Sequence, residues 1–323
     1  MSSAVPAELK TRAAFPRWLA PGSTSGALLA LVVLVVANSL FTPNFATTSN
    51  FWNVLLQASQ VLLVAVGMTL VIATGGIDLS VGSVMAIAGA VAATQLEHGV
   101  AVAIGLALVA ALLVGALNGA LITRYAVQPI VVTLATLIAG RGLAQVLSND
   151  GQLVPVSSAG FEQLGRAYIG PLPMPVLIAG VVVGVAAFAL HSTAFSRYVL
   201  ASGGNPAAAR LAGVPVRRTL LTVYIVCALL AGLAGLIEVA RLGASDAAKV
   251  GLNIELDAIA AVVVGGTALS GGRATILGTV VGALIMQVIA TSFNMLLVPY
   301  AWSLALKAVI IIFAVYLQRA KRV

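Results

Sequence analysis

Ten predominantly apolar runs follow one another along the chain, near residues 25 to 41, 52 to 74, 81 to 95, 100 to 122, 127 to 147, 173 to 191, 219 to 239, 256 to 270, 275 to 298 and 300 to 318. Only short interruptions bearing Gly, Pro or charge separate them. A helix that crosses a bilayer needs about 20 mainly apolar residues, so this spacing predicts crossing after crossing. Of the 323 residues 61% are hydrophobic and 8% charged, where a soluble domain carries about a quarter charged residues. No water-soluble fold has the interior to hide that much apolar surface. The expectation is an all-α integral membrane protein, a bundle of about ten transmembrane helices. The third and eighth runs are short for a full crossing, which leaves open eight spans plus two re-entrant segments.

The basic residues give an independent check. With ten spans and the amino terminus inside, Lys10, Arg12, Arg17, Arg124, Arg197, Arg210, Arg217, Arg218, Arg273, Arg319, Lys321 and Arg322 fall on the cytoplasmic side, which is 12 of the 17 Lys and Arg. Arg166, Arg241 and Lys249 fall outside, and Arg141 and Lys307 within spans. That is the bias expected of a multi-pass chain, and it makes both termini cytoplasmic. The start of the chain imitates a secretory signal, but further spans come at once, so the first is read as an uncleaved span. A cytoplasmic segment 1–24 then precedes a single transmembrane domain 25–323. Three longer loops belong to that domain: 192–218 inside, 148–172 and 241–255 outside.

Several functions are excluded by what is missing. The net charge of +8 comes from basic residues standing singly between apolar runs, not gathered on a face with stacking aromatics as nucleic-acid binding requires. No Gly-x-x-x-x-Gly-Lys-Ser/Thr loop occurs to cradle a phosphate. His98 and His191 stand alone, so no metal site is expected, and Cys227, the single cysteine, is expected to be packed inside an apolar run. There is no catalytic constellation and no set of buried carboxylates for a proton relay. Energy for any transport must come from a gradient or a partner protein.

Where the apolar runs break, the breaks are informative. Gly75-Gly76-Ile77-Asp78-Leu79-Ser80-Val81-Gly82 puts a carboxylate at or near membrane depth. An acid there is costly and by default a functional candidate; equally, Asp78 or Ser80 could simply cap the helix that starts near Val81. A related segment, Gly265-Gly266-Thr267-Ala268-Leu269-Ser270-Gly271-Gly272, comes 190 residues later without the acid. Paired Gly-interrupted segments in two halves of a transporter mark discontinuous helices beside a central pathway. Asn118 and Gln128 are neutral polar groups able to bond a neighbouring helix or a sugar hydroxyl. Gly115 with Gly119, Gly180 with Gly184 and Gly278 with Gly282 have the spacing of close helix contacts. Glu238 and Arg241 could pair on one helix face, Arg141 could snorkel to the interface, and Lys307 has no evident partner.

The inner loop contains a helix signal of its own. Asn205 can cap a helix whose first turn accepts Pro206; Ala207, Ala208 and Ala209 continue it, and Gly213 can end it. The product is a short amphipathic helix that offers Leu211 to a groove of a partner and Arg210 to an acid at its edge.

Three stretches together resemble one known family across most of the chain from Leu62 to Ile312: "GMTLVIATGGIDLSVGSVMAIAGA" from Gly67, "GGNPAAARLAGV" from Gly203, and "GLIEVARLGASDAAKVGLNIELDAIAAVVVGGTALSGG" from Gly235. The chain is similar to the permease subunits of bacterial ABC importers for ribose, galactose, arabinose and related sugars. "AGRGLAQVL" followed by "GQLV" looks nearest to a galactofuranose importer subunit, and the last third looks equally like a ribose permease. The resemblance implies an inner-membrane subunit pairing with a second, identical or homologous permease, two cytoplasmic ATPases that use ATP and Mg, and a periplasmic sugar-binding protein, with lipid around the bundle. It implies no cofactor bound by this chain. Gly203, Asn205, Pro206, Arg210, Leu211 and Gly213 would form the ATPase-coupling segment, with Pro206 standing where the family often has a charged or bulky residue. Gly75, Gly76, Asp78 and Ser80, with Asn118 and Gln128, would line the substrate pathway. The two outer loops, through Asp246 and Lys249, would meet the binding protein. The rival expectations are a gradient-driven carrier, a permease of the same wider superfamily for nucleosides or branched-chain amino acids, and a membrane enzyme.

Overall fold

The structure, a computed structural model, describes residues 24–319. The expected amino-terminal segment up to residue 23, with Lys10, Arg12 and Arg17, and residues 320–323, with Lys321 and Arg322, lie outside them. Every one of the ten apolar runs is a helix. In chain order the first helices are α1 (Thr24–Phe41), α2 (Thr48–Ala73), α3 (Val81–Gln95), α4 (Val100–Arg124) and α5 (Pro129–Leu147). A short α6 (Ala159–Arg166) precedes α7 (Met174–Ser192), then come α8 (Ala194–Gly204), α9 (Pro206–Leu211) and α10 (Val216–Leu242), and finally α11 (Ile254–Val264), α12 (Ile276–Met295) and α13 (Tyr300–Arg319). Among the described residues, seven of these are long and apolar enough to cross a bilayer. The third and eighth runs are the short ones: α3 has 15 residues, and α11 has 11 because it stops at Gly265 instead of continuing to residue 270.

Burial sorts the helices. α2 is apolar on every side and is buried on nearly every side, as such a helix must be, whereas α1 buries only Ala27 and α7 only Pro175 and Ala179. α2 and α10 are therefore the axis of the bundle. Small residues let α10 approach its neighbours: a Cβ on Gly115 would lie 2.7 Å from Ala228 Cβ, one on Gly119 2.8 Å from Leu221, and one on Gly67 2.8 Å from Cys227. Gly278 and Gly282 pack in the same way against Gly265 and Ala261. Gly180 and Gly184 do not: a Cβ on either would meet nothing, because α7 turns that side away from this chain. Cys227 is buried, as expected.

α10 connects the two ends of the bundle, with α9 before it and β4 (Ala244–Ser245) after it. At the β4 end the two loops read as external are joined. β1 (Val154–Pro155) pairs antiparallel with β4, Val156 N donates to Gly243 O (2.9 Å), and Arg166 Nε donates to Arg241 O (2.9 Å). A small hairpin of β2 (Tyr168–Ile169) with β3 (Leu172–Pro173) leads into α7. The segment after β4 is only partly a surface loop. Ala248 and Lys249 are exposed, but Ser245, Ala247, Val250 and Gly251 are buried. A Cβ on Gly251 would lie 2.7 Å from Gly82 O and 2.9 Å from Met85 Cβ, and Met85 is the residue on which Gly235 packs. Gly235 is seven residues, ~10 Å, short of the end of α10. The chain thus turns back into the bundle along α3 before α11 begins.

Three expectations about charged residues are corrected by the contacts these side chains make. Lys307 does have a partner: its Nζ lies 2.7 Å from Asp257 Oδ1, a largely buried ion pair that fastens α13 to α11. Glu238 forms no ion pair with Arg241; its Oε2 accepts instead from Gly251 N (3.3 Å). Arg141 is directed into the protein, donating to the carbonyls of Ala247, Val250 and Gly251. In each case desolvated backbone or an opposite charge at the same depth offers more than a reach to the interface would.

Candidate functional site

The first break starts with a helix end. Gly75 takes φ +82°, the left-handed conformation that costs glycine nothing, and its N–H returns to Ile72 O (2.9 Å) while Gly76 N returns to Val71 O (3.2 Å). A side chain on Gly76 would overlap the Tyr224 hydroxyl. Tyr224 is eight residues, ~12 Å, into the ~40 Å length of α10, so the break lies well inside the bundle.

Asp78 and Ser80 are wholly buried there. Asp78 Oδ1 accepts from Ser80 N (2.9 Å) and Ser80 Oγ (2.6 Å). Ser80 occupies the N-cap position of α3, but its side chain does not cap the helix. Its Oγ instead accepts from Asn118 Nδ2 (2.9 Å), and Asn118 Oδ1 accepts from Thr136 Oγ1 (2.6 Å). Ser83 Oγ bonds Ser80 O (2.8 Å) and Thr136 O (3.2 Å), and Thr133 Oγ1 donates to Ile77 O (3.3 Å). One polar chain therefore runs from the break through α4 to α5. Asp78 Oδ2 and Tyr224 Oη are buried without a hydrogen bond in it. Of the residues singled out from sequence, Gly75, Gly76, Asp78, Ser80 and Asn118 are brought together. Gln128 is not: it stands exposed at the N-cap of α5, outside the hydrogen-bonded set. Sequence reasoning missed Ser83, Thr133, Thr136 and Tyr224. Thr133 and Thr136, three apart on one helix face, were the available signal.

The second break ends α11 at Gly265 and Gly266 and is closed by hydroxyls. Thr275 N donates to Thr267 Oγ1 (3.2 Å), and Thr275 Oγ1 donates to Gly265 O (3.0 Å). The two breaks touch. Gly272 N donates to Ala73 O (2.9 Å), and a Cβ on Gly271 would lie 2.9 Å from Gly75 N.

The third party at that contact is α8. A Cβ on Gly203 would overlap the Ala73 carbonyl and lie 2.8 Å from Gly272 N. Gly203 is thus the last turn of an 11-residue helix wedged against both breaks, and only glycine lets the three backbones meet. The helix beyond it forms as its residues dictate. Asn205 Oδ1 accepts from Ala207 N (3.1 Å) and Ala208 N (3.0 Å), Pro206 fills the first turn, and Gly213 turns the chain at φ +80°. Ala209 faces inward and is buried, so the exposed surface is Ala207, Ala208, Arg210 and Leu211, with Leu211 92% exposed. No acid lies between Glu162 and Glu238 to neutralise Arg197, Arg210, Arg217 and Arg218.

Residues 50–315 match the family described as branched-chain amino acid transport system, permease component. Over 302 residues the chain is 44% identical to the ribose import permease protein RbsC of Escherichia coli K12, covering 91% of this chain and 93% of that one. It belongs to the permease family of sugar ABC importers. Two other members are the galactofuranose transporter permease protein YtfT of the same organism, 39% identical over 307 residues (90% and 88% covered), and the L-arabinose ABC transporter permease protein AraH of Azospirillum brasilense, 37% identical over 303 residues (92% and 88% covered). No solved structure matches the chain. As a multi-pass membrane permease it is a transport component and not an enzyme, and membership implies ATPase and binding-protein partners in general.

In this sugar permease Asp246 and Lys249, in the loop after β4, pair with each other (3.2 Å) across a tight turn, with Lys249 well exposed. Asp246 Oδ1 also accepts from Ala248 N (3.0 Å), which fixes that turn. The turn sits at the β4 end, opposite the α8–α9 segment.

Proposed function

We propose that this permease imports a monosaccharide, with ribose the first to test, and that it does so as one of two permease subunits in a bacterial inner membrane. The observation that carries the reading is the placement of α8 and α9. One end of this segment, at Leu211, is bare, and the other, at Gly203, is wedged against both membrane-depth breaks. A partner that grips Leu211 and Arg210 has a short, stiff route to Asp78. Arg197, Arg210, Arg217 and Arg218 mark the α9 end as cytoplasmic, so the partner is the ATPase, which binds ATP and Mg itself. The turn at Asp246 and Lys249, joined to the other external loop through β1 and β4, then meets the periplasmic binding protein. The second permease is an identical or homologous chain. A sugar carries hydroxyls and no net charge, and the Asp78, Ser80, Asn118, Thr133 and Thr136 set is rich in groups that bond hydroxyls. The 44% identity to a ribose permease against 39% to a galactofuranose permease supports trying a pentose first.

The test is Leu211→Glu. The side chain touches little in this chain, so the permease is expected in the membrane at the wild-type amount. Loss of an anchoring apolar residue from a helix-in-groove contact costs about 2 kcal/mol or more, so retention of the ATPase and ribose uptake should each fall at least about tenfold. Wild-type retention and uptake would remove α9 from the coupling role.

A further inference from the structure

Arg141 belongs neither to the polar chain at Asp78 nor to the exposed surface of α9, yet it is a charge at membrane depth, where charges are costly and rarely idle. Its Nη1 donates to Val250 O (2.6 Å) and Ala247 O (3.1 Å), and its Nη2 reaches Gly251 O (3.4 Å). The Gly251 peptide is held from the other side by Glu238 of α10. A Cβ on Gly82 would lie 2.7 Å from Glu255 Oε2 and 3.4 Å from Arg141 Nη2, so Arg141, Glu255 and the start of α3 converge on this point. A fork of fixed donors can gather three carbonyls at once; an ammonium cannot do so with the same geometry.

α5 makes the position consequential. It buries only Val132, Thr133, Gly140 and Ala144. Beside Arg141, Gly140 packs on Ser83, where a Cβ would lie 2.8 Å from its Oγ. Five and eight residues below, ~8 and ~12 Å away, Thr136 and Thr133 hold Asn118 and Ile77 of the Asp78 set. A single helical strut thus grips the re-entrant segment 247–251 with one end and the first break with the other.

We infer that Arg141 is a positioning residue through which the segment at the β4 end, and whatever docks there, sets the position of α5 and hence of the Asp78 break. This rests on the reading that the Asp246 turn receives the binding protein. A link between distant sites needs a measured coupling, not a line of contacts. The complex would be reconstituted with its ATPase and binding protein, and ATP hydrolysis measured without the binding protein and with ribose-loaded binding protein. In Arg141→Met and Arg141→Lys, stimulation by the loaded binding protein should fall tenfold or more, while unstimulated hydrolysis and the amount of ATPase retained change less than twofold. Arg141→Lys keeps the charge but not the fork and serves where the Met variant is not recovered from the membrane. Equal loss of both rates would show a merely structural residue, and full stimulation in the recovered variants would show no coupling; either overturns the inference. Absence of stimulation in the wild-type complex would instead count against the functional reading beneath it.

Discussion

The two Gly breaks end their helices alike and continue differently. In the first, Gly75 takes φ +82° and the N–H groups of Gly75 and Gly76 return to Ile72 and Val71; in the second, Gly266 takes φ +93° and the N–H groups of Gly266 and Thr267 return to Val263 and Val262. The structural equivalents are therefore Gly75 and Gly266, one residue out of step with the match of Gly75-Gly76 to Gly265-Gly266 that the letters suggest. Beyond that point the likeness ends. Residues 76–80 lead to α3, with the buried Ser80 at its N-cap, whereas residues 267–275 lead to α12 with Thr275 at its N-cap and Ser270 exposed midway. A helix end is written by a single glycine. The path of the chain beyond that glycine is set by its surroundings, an acid with a polar chain in one case and two threonines in the other.

The largest effect is expected where the two breaks share a neighbour. Gly203→Val would drive a branched side chain into the Ala73 carbonyl and Gly272, and those backbones have nowhere to go. Overpacking of this kind costs roughly 1–3 kcal/mol even where side chains can move. Ribose uptake per permease in the membrane should fall by about a hundredfold, with a lowered thermal unfolding midpoint. Normal uptake would mean that the breaks do not depend on their common contact with α8, and the wedge would lose its significance.

A smaller effect separates the breaks from each other. Asp78→Ala strands Ser80 N and Ser80 Oγ and unties the chain to Asn118 and Thr136, whereas Thr267→Val removes the hydroxyl that accepts from Thr275 N and lies 3.4 Å from Thr275 Oγ1. A buried donor left without a partner costs about 1–3 kcal/mol and Asp78→Ala leaves two, so its cost should be about 3 kcal/mol and that of Thr267→Val about 1 kcal/mol, read as denaturant unfolding in one detergent. Equal costs would erase the distinction between acid-closed and hydroxyl-closed breaks.

How much the sequence discloses depends on the range of the interactions. The ten apolar runs are local and carry the helices, and Asn205, Pro206 and Gly213 carry α9, because a cap, a ring and a left-handed turn act within a few residues. Asp78 was visible as an acid in the wrong solvent. Its connection to Asn118 and Thr136 was not, since these lie on other helices whose facing sides are set by packing. α8 has no signal of its own because 11 residues of mixed polarity give no span, and Gly203, which the sequence places in the coupling segment of the inner loop, is also a point of backbone contact. Lys307 and Asp257 are 50 residues apart and meet only because α11 starts deep, after a segment that reads as an external loop. Gly180 and Gly184 have the right spacing for a contact but face away from this chain, so spacing alone names a possible contact and not the partner.

The smallest expected change is also the most discriminating. Asp78→Asn keeps an oxygen at the Oδ1 position to accept from Ser80 N and Ser80 Oγ, so the break should fold and the stability change should stay within about 1 kcal/mol. The second break shows that hydroxyl oxygens, those of Thr267 and Thr275, can hold a Gly-ended turn of this chain. If Asp78 were only a cap, an amide should serve equally well. The carboxylate has a second oxygen, Oδ2, buried with no hydrogen bond in the chain, and the Tyr224 hydroxyl nearby is in the same condition. An amide would put a donor in that place, changing the one feature that the cap does not need. Ribose uptake should therefore fall severalfold in a variant that is as stable as the wild type. Uptake at the wild-type rate would reduce the acid to a capping oxygen and leave the two breaks differing in chemistry but not in role.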